Sequence, residues 1–366
     1  MRLLIVDDSI VFRHIVEAAL AGEPDVEIVG TARNGRKALE ALARCRPDLM
    51  TLDLEMPELD GISTLTEIEK LNAPLPPNER VGVIVLSSHS RAGAAVTMRA
   101  LELGAFDFVS KPEGSSEAES IARLKNLLLP RIRAFAVTRA SRSTSTRAAP
   151  IVAPLSLRAP APARPSAPAP RERPGPEVIC IGISTGGPRA LAEMLPALCA
   201  ITALPAVIVQ HMPPNFTATF AEGLTLRCKR RVTEAQDGEV VEASRVYIAP
   251  GGRHVALARS APGQLSLRVH DQAPENGCKP SVDVLFRSAA QVCHGDVVAV
   301  VMTGMGRDGE QGVRALKREG ARIIAQDEKS SVVWGMPGAA VSTGCVDEVV
   351  ALSQIAQTIR RAAGGR

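Results

Sequence analysis

Three positions in the C-terminal half of the chain end apolar runs with residue types that together can transfer an acyl group. Val178-Ile-Cys-Ile-Gly-Ile183 stops at Ser184, followed by Thr185, Gly186, Gly187 and Pro188. The run 205–210 stops at His211, and the run 296–302 leads into Thr303-Gly-Met-Gly-Arg-Asp308-Gly309. In an open parallel sheet the carboxyl ends of the strands share one crevice, so a serine, a histidine and a carboxylate far apart in sequence converge there. Ser184 then attacks a carbonyl, His211 takes and returns the proton, and Asp308 orients the imidazole. Singly each residue has a plainer use: a serine after a strand caps the next helix, and a histidine on a loop is structural. His254, His270 and His294 end no long apolar run that opens a helix, which singles out His211. Asp271, Asp283, Asp296 and Asp327 compete with Asp308, but only Asp308 lies in a glycine-rich turn that brings backbone N–H groups close to a reacting carbonyl. The stretch 182–186 also matches G-x-S-x-G, yet the chain order Ser, His, Asp differs from that of the α/β-hydrolases, where the acid precedes the histidine.

A second set of polar residues occupies strand ends in the N-terminal half. Asp7 and Asp8 follow the run 3–6, Asp53 follows 48–52, Ser87 and Ser88 follow 81–86, and Lys111 follows 106–109. Three carboxylates brought together repel one another unless a hard divalent cation sits among them, and oxygen ligands with room for water favour Mg2+. A lysine as counter-charge and a serine hydroxyl complete a site for a transferred phosphoryl group, with Asp53 placed to accept it.

Strand runs alternating with helical segments in both halves predict an α/β protein. The first half reads as a flavodoxin-like five-stranded parallel sheet and the second as a doubly wound α/β sheet with a β-hairpin. A change to Ala, Pro, Arg and Ser separates them, so the expected domains are 1–130 and 177–366, with a flexible linker over 131–176. A length of 366 residues, 45% of them hydrophobic, suffices for two cores. A net charge of +4 with much of the basic excess in the linker, and only 2% aromatic residues, argue against a nucleic-acid partner. The seven cysteines form no C-x-x-C pair, which predicts buried thiols in a reducing compartment. Carboxylates follow the first apolar residues too soon for a signal peptide, and no apolar run reaches membrane-spanning length, so a cytoplasmic protein without membrane insertion is expected.

Residues 1–130 resemble the receiver domain of two-component response regulators. The resemblance implies that Asp7 and Asp8 are its acidic pair, Asp53 its phosphoacceptor, Glu55 a backbone-carbonyl ligand to Mg2+, Ser87 and Phe108 its switch residues, and Lys111 its active-site lysine. The stretches 183–188, 210–213 and 302–309 resemble the chemotaxis protein-glutamate methylesterases of the CheB family, and so does the order receiver, linker, esterase. That resemblance implies hydrolysis of γ-glutamyl methyl esters, and deamidation of certain glutamines, on the cytoplasmic helices of chemoreceptors, without a cofactor for the esterase reaction. It further implies a chemotaxis histidine kinase as phosphoryl donor, an oxyanion-hole N–H from Met305, a positioning role for Thr185, and activation when phosphorylation moves the receiver off the catalytic face. Three rival classes fit less well. A DNA-binding output lacks its helix-turn-helix unit, and a dinucleotide site fails because 182–187 does not match G-x-G-x-x-G. A binding module without catalysis has no need of Ser184, His211 and Asp308 together.

Overall fold

The computed structural model describes residues 1–88, 90–112, 116–144, 175–260 and 263–364. The N-terminal unit runs β1 (Arg2–Val6), α1 (Ile10–Leu20), β2 (Glu27–Ala32), α2 (Gly35–Cys45), β3 (Leu49–Asp53), α3 (Gly61–Asn72), β4 (Gly82–Ser87), α4 (Arg91–Leu103), β5 (Asp107–Ser110) and α5 (Glu117–Thr144). Its strands pair in parallel in the order β2-β1-β3-β4-β5. The continuous apolar runs of β1, β3 and β4 are buried on both faces because helices cover both sides of a parallel sheet. Ser9, Asn34, Asp60 and Ser90 each accept a backbone N–H at the start of α1 to α4, which fixes where the chain turns from strand end to helix.

Helix α5 overruns the expected domain end at residue 130. It continues through Pro130 to Thr144 although an interior proline forfeits a helix hydrogen bond. Leu124, Leu128, Ile132 and Phe135 recur at helical spacing and are buried, and the Phe135 ring meets Phe106 edge-on at 5.1 Å. This packing outweighs the proline. Most of the expected flexible linker, 145–174, lies outside the described residues.

The C-terminal unit runs β6 (Val178–Ile183), α6 (Gly187–Ile201), β7 (Ala206–Gln210), α7 (Phe216–Cys228), β8 (Val232–Glu234), β9 (Val246–Ile248), β10 (His254–Arg259), β11 (Leu265–His270), α8 (Val282–Cys293), β12 (Val297–Val301), α9 (Glu310–Glu319), β13 (Arg322–Gln326), α10 (Gly335–Ser342), β14 (Glu348–Val350) and α11 (Leu352–Ala362). Seven strands form a parallel sheet in the order β14-β13-β12-β6-β7-β9-β8, and β10 and β11 form a separate antiparallel hairpin. The chain leaves central β6 for β7 on one side and later enters β12 on the other. The carboxyl ends of these three strands therefore open the crevice where the winding reverses.

The two units pack directly. Phe108 of β5 stacks on Phe216 at the start of α7, with ring centroids 4.7 Å apart, within an apolar cluster that includes residues of both sheets. Ion pairs Arg91–Glu222 (2.6 Å) and Arg227–Glu102 (2.7 Å) flank the α4–α7 contact. Met305, Val332 and Val333 of the C-terminal unit pack on the receiver cluster that contains Leu124 and Phe135.

Candidate active site and phosphoacceptor pocket

Ser184 leaves the end of central β6 with its backbone N–H on Thr303 O at 2.9 Å, so the β6 and β12 ends are tied together under the site. Gly186 follows at φ +78°, where a side chain is strained and a Cβ would strike Val332, and Pro188 falls in the first turn of α6. Gly304 is equally constrained, since a Cβ there would lie 2.7 Å from Ser184 Cβ and 2.4 Å from Met336 Sδ. The glycines of both loops therefore let two strand ends approach the same point.

His211, one residue past β7, donates its backbone N–H to Ile183 O at 3.1 Å. Its Nε2 lies 2.8 Å from Asp308 Oδ2. Gln210, which sequence reasoning passed over, braces the neighbourhood by donating from Nε2 to Ser184 O and His211 O.

Asp308 is 2% exposed and accepts from Ser281 Oγ (2.8 Å) and the N–H groups of Val282 (2.6 Å), Asp283 (3.1 Å) and Gly309 (3.1 Å), as well as facing His211. Three of these donors belong to the start of α8, whose N-terminus favours an anion. Burial alone would raise the Asp308 carboxyl, but His211 and these N–H groups outweigh it and hold it below the usual range. For His211, burial acts to lower the pKa; the bond to Asp308 and the neighbouring Cys278 prevail and raise it to about 9.

Ser184 is half-buried, and among the described residues its hydroxyl makes no hydrogen bond; the nitrogen of His211 turned away from Asp308, Nδ1, faces Cys278 Sγ at 3.8 Å. The sequence expectation of buried thiols holds for Cys180, Cys199, Cys228 and Cys293 but not for Cys45, Cys278 and Cys345, which are partly exposed; all seven are free. Cys278 carried no motif signal, and only the fold brings it to His211.

Thr185 is buried and donates to Asp107 Oδ2 of the receiver at 2.7 Å, while its carbonyl accepts from Thr303 Oγ1 at 2.9 Å. Asp107, also missed in the sequence, is paired with Arg131 Nε at 3.2 Å. Met305 is half-buried against the receiver.

In the receiver, Asp7, Asp8 and Asp53 present carboxylate oxygens within 4.8 Å of one another. Lys111 Nζ bridges Asp7 Oδ2 (2.7 Å) and Asp53 Oδ2 (2.8 Å), and Glu55 N approaches Asp53 Oδ1 at 3.4 Å. Burial raises the Asp53 carboxyl despite Lys111, whose own ammonium is held above its ordinary range because Asp53 and Asp7 outweigh its desolvation. A cavity of about 230 Å³ lined by Asp8, Asp53, Glu55, Ser87 and Lys111 leaves room beside the acceptor. The oxygen-only donor set, with Asp8 exposed to water, fits Mg2+. The Ser87 hydroxyl is turned to α4, accepting from Thr97 Oγ1 at 2.5 Å and lying 3.4 Å from Gly93 O.

Comparison with known proteins now bears on this arrangement. Residues 179–359 match the family model described as CheB methylesterase, and residues 3–123 match the response regulator receiver domain. A protein of Desulfotalea psychrophila named protein-glutamate methylesterase/protein-glutamine glutaminase is 41% identical over 98% of this chain and 97% of its own length. The chain belongs to the CheB methylesterase family. A Treponema denticola protein of the same name is 41% identical over 99% of this chain and 98% of its own. The crystal structure of the Thermotoga maritima CheB methylesterase catalytic domain aligns with 51% of this chain and 98% of that one, at 36% identity and a TM-score of 0.49. The chain is accordingly a methylesterase of this family carrying a response-regulator receiver, and none of its described helices is long and apolar enough to cross a membrane.

Proposed function

We propose that this protein demethylates γ-glutamyl methyl esters, and deamidates particular glutamines, on the cytoplasmic helices of chemoreceptors, and that a chemotaxis histidine kinase switches it on through Asp53. The observation that carries the reading is the His211–Asp308 pair of 2.8 Å beside the Ser184 turn, in a chain 41% identical along its length to proteins of that name. Asp308 faces Nε2, which fixes the N–H on that nitrogen and leaves Nδ1 as the base. The template triad holds the same three roles with the two nitrogens exchanged. A rotation of the Ser184 side chain toward Nδ1 then passes the hydroxyl proton to the imidazole as Oγ attacks the ester or amide carbonyl. The imidazolium returns that proton to departing methoxide or ammonia, and water repeats the cycle on the acyl-enzyme. The Met305 backbone N–H receives the oxyanion, since those of Thr303 and Gly304 are spent on Gln326 and Val333. Ester and amide share this tetrahedral intermediate, so one site serves both substrates.

The receiver sits on this machinery in the state described. Asp107 holds the Thr185 hydroxyl, next to the nucleophile, and the receiver also packs on Met305. Asp7, Asp8, Asp53 and the Glu55 carbonyl would hold Mg2+, which offsets the charge gathered as the phosphoryl group arrives. A phosphoryl group on Asp53 competes for Lys111 and draws Ser87 away from Thr97. Phe108, two residues along the neighbouring strand, carries the change to Phe216. The decisive test is methanol release from methylated receptor-containing membranes with and without a small phosphodonor. Release that rises with phosphodonor supports the whole reading, and no release in either state sinks it.

A further inference from the structure

The turn carrying Cys278 is built to hold the thiol where it stands. Glu275 and Cys278 exchange two backbone hydrogen bonds of 3.1 and 2.8 Å, and Asn276 Nδ2 anchors on Asp283 Oδ2 at 2.9 Å. Arg287 clamps Glu275 through two nitrogens, and Lys279 pairs with Asp271. These contacts aim Sγ at His211 Nδ1, 3.8 Å away. Tetrahedral zinc, with bonds of about 2.3 Å to sulfur and 2.0–2.1 Å to nitrogen, separates two such ligands by about 3.6 Å. The pair is thus spaced to chelate one ion with almost no movement. The other imidazole nitrogen already faces the carboxylate of Asp308, the usual outer partner of a metal-bound histidine. Asp308 itself is saturated by four further donors and stays in that outer role.

We propose that His211 Nδ1 and Cys278 Sγ form a binding site for a thiophilic divalent cation of the zinc class, and that its occupancy switches the esterase off. Binding releases the thiol proton and the Nδ1 proton of the charged ring to water, the thiolate and the freed Nδ1 lone pair take the metal, and water fills the remaining positions. The metal site stands on geometry alone, whereas its inhibitory effect rests on the reading of Nδ1 as the base. Soft sulfur and imidazole ligands set it apart from the all-oxygen Asp7, Asp8 and Asp53 cluster, which takes a hard cation.

The test is titration of the full chain with Co2+ under excess Mg2+ and a phosphine reductant, reading thiolate-to-cobalt charge-transfer absorption. One equivalent should develop the band and Zn2+ should displace it. Cys278→Ser should lose the band and weaken Zn2+ binding by at least about 10-fold, since outer partners alone are worth 10–100-fold. Asp308→Asn should keep the band with weaker affinity. In parallel, Zn2+ should suppress methanol release by wild type and spare Cys278→Ser. Absence of the band in wild type, or its persistence in Cys278→Ser, overturns the site. A band without inhibition overturns the switch while leaving the site. Metal-free wild type that releases no methanol counts against the proposed esterase reaction and not against the metal site.

Discussion

The protein carries two polar crevices at the carboxyl ends of two parallel sheets, and they are assembled to different degrees. In the receiver, Lys111 already bridges Asp7 and Asp53. In the esterase, His211 and Asp308 are paired while the Ser184 hydroxyl makes no hydrogen bond among the described residues. Charge-assisted contacts close on their own, because leaving a buried charge without a partner is costly. A neutral serine in a half-buried loop incurs no comparable penalty when unpaired, so its alignment is left to substrate binding. On the proposed reading, the receiver crevice is a preset switch, and the esterase crevice is a poised pair awaiting its nucleophile.

The most severe way to break this comparison is to remove the nucleophile. Ser184→Ala should cut methanol release by about 10⁴-fold or more while the fold persists, because glycines and backbone bonds shape the turn. Asp308→Asn should cost about 10⁴-fold through loss of the tautomer and of charge support. Turnover near wild type in either variant would dissolve the triad. Next in size is the switch. Asp53→Ala should take no label from acetyl phosphate and should stay at the unphosphorylated rate, forfeiting an activation of about 5–150-fold that corresponds to 1–3 kcal/mol of coupling. EDTA should abolish labelling of wild type, and labelling that survives it would contradict the oxygen-ligand pocket.

A subtler variant sharpens the link between the crevices. Asp107→Ala frees the Thr185 hydroxyl and the Arg131 guanidinium at once. Loss of one buried contact to a charged group is worth about 1.5–3 kcal/mol, and part of it falls on the receiver itself. The unphosphorylated rate should rise severalfold and the phosphorylated rate hardly at all, so that the activation ratio shrinks. An unchanged ratio would mean that Thr185 and Asp107 touch without transmitting anything.

Most of the framework was legible in the sequence because burial on both faces leaves an unmistakable mark. The runs 178–183 and 205–210 reappear as β6 and β7 almost to the residue. Strand ends, with the glycine-rich turn of 303–309, then singled out Ser184, His211 and Asp308 as candidates. What the sequence hid has physical reasons. Composition around 131–144 reads as a tether, yet Ile132 and Phe135 extend the helical stripe of Leu124 and Leu128, and that stripe only gains meaning against Phe106. Cys278 and Asp107 lie in no motif, and Gln210 opens the 210–213 stretch without any sign of its bracing role. Each acts through a partner at least 26 residues away, and spacing along the chain says nothing of such contacts.

The smallest expected effect separates the two crevices by their protons. His211 stands near 9, with burial opposing the shift and Asp308 and Cys278 producing it. A raised histidine contributes stability that is fully present below its unfolded value of about 6.5 and is lost as pH climbs through 9. Catalysis runs the other way, since only the neutral ring accepts the Ser184 proton. At neutral pH the charged ring therefore predominates, and only a minority of molecules has the base ready. The acid limb of kcat/KM for the metal-free protein should accordingly sit well above 6.5. Cys278→Ser, which removes one of the contributions that raise the ring, should move that limb to lower pH and raise the rate at neutrality while leaving the alkaline plateau alone. A wild-type limb at 6.5 would mean that the imidazole leaves its resting contacts with Asp308 and Cys278 before it acts. A limb that is high in wild type and unmoved in Cys278→Ser would assign the whole shift to Asp308.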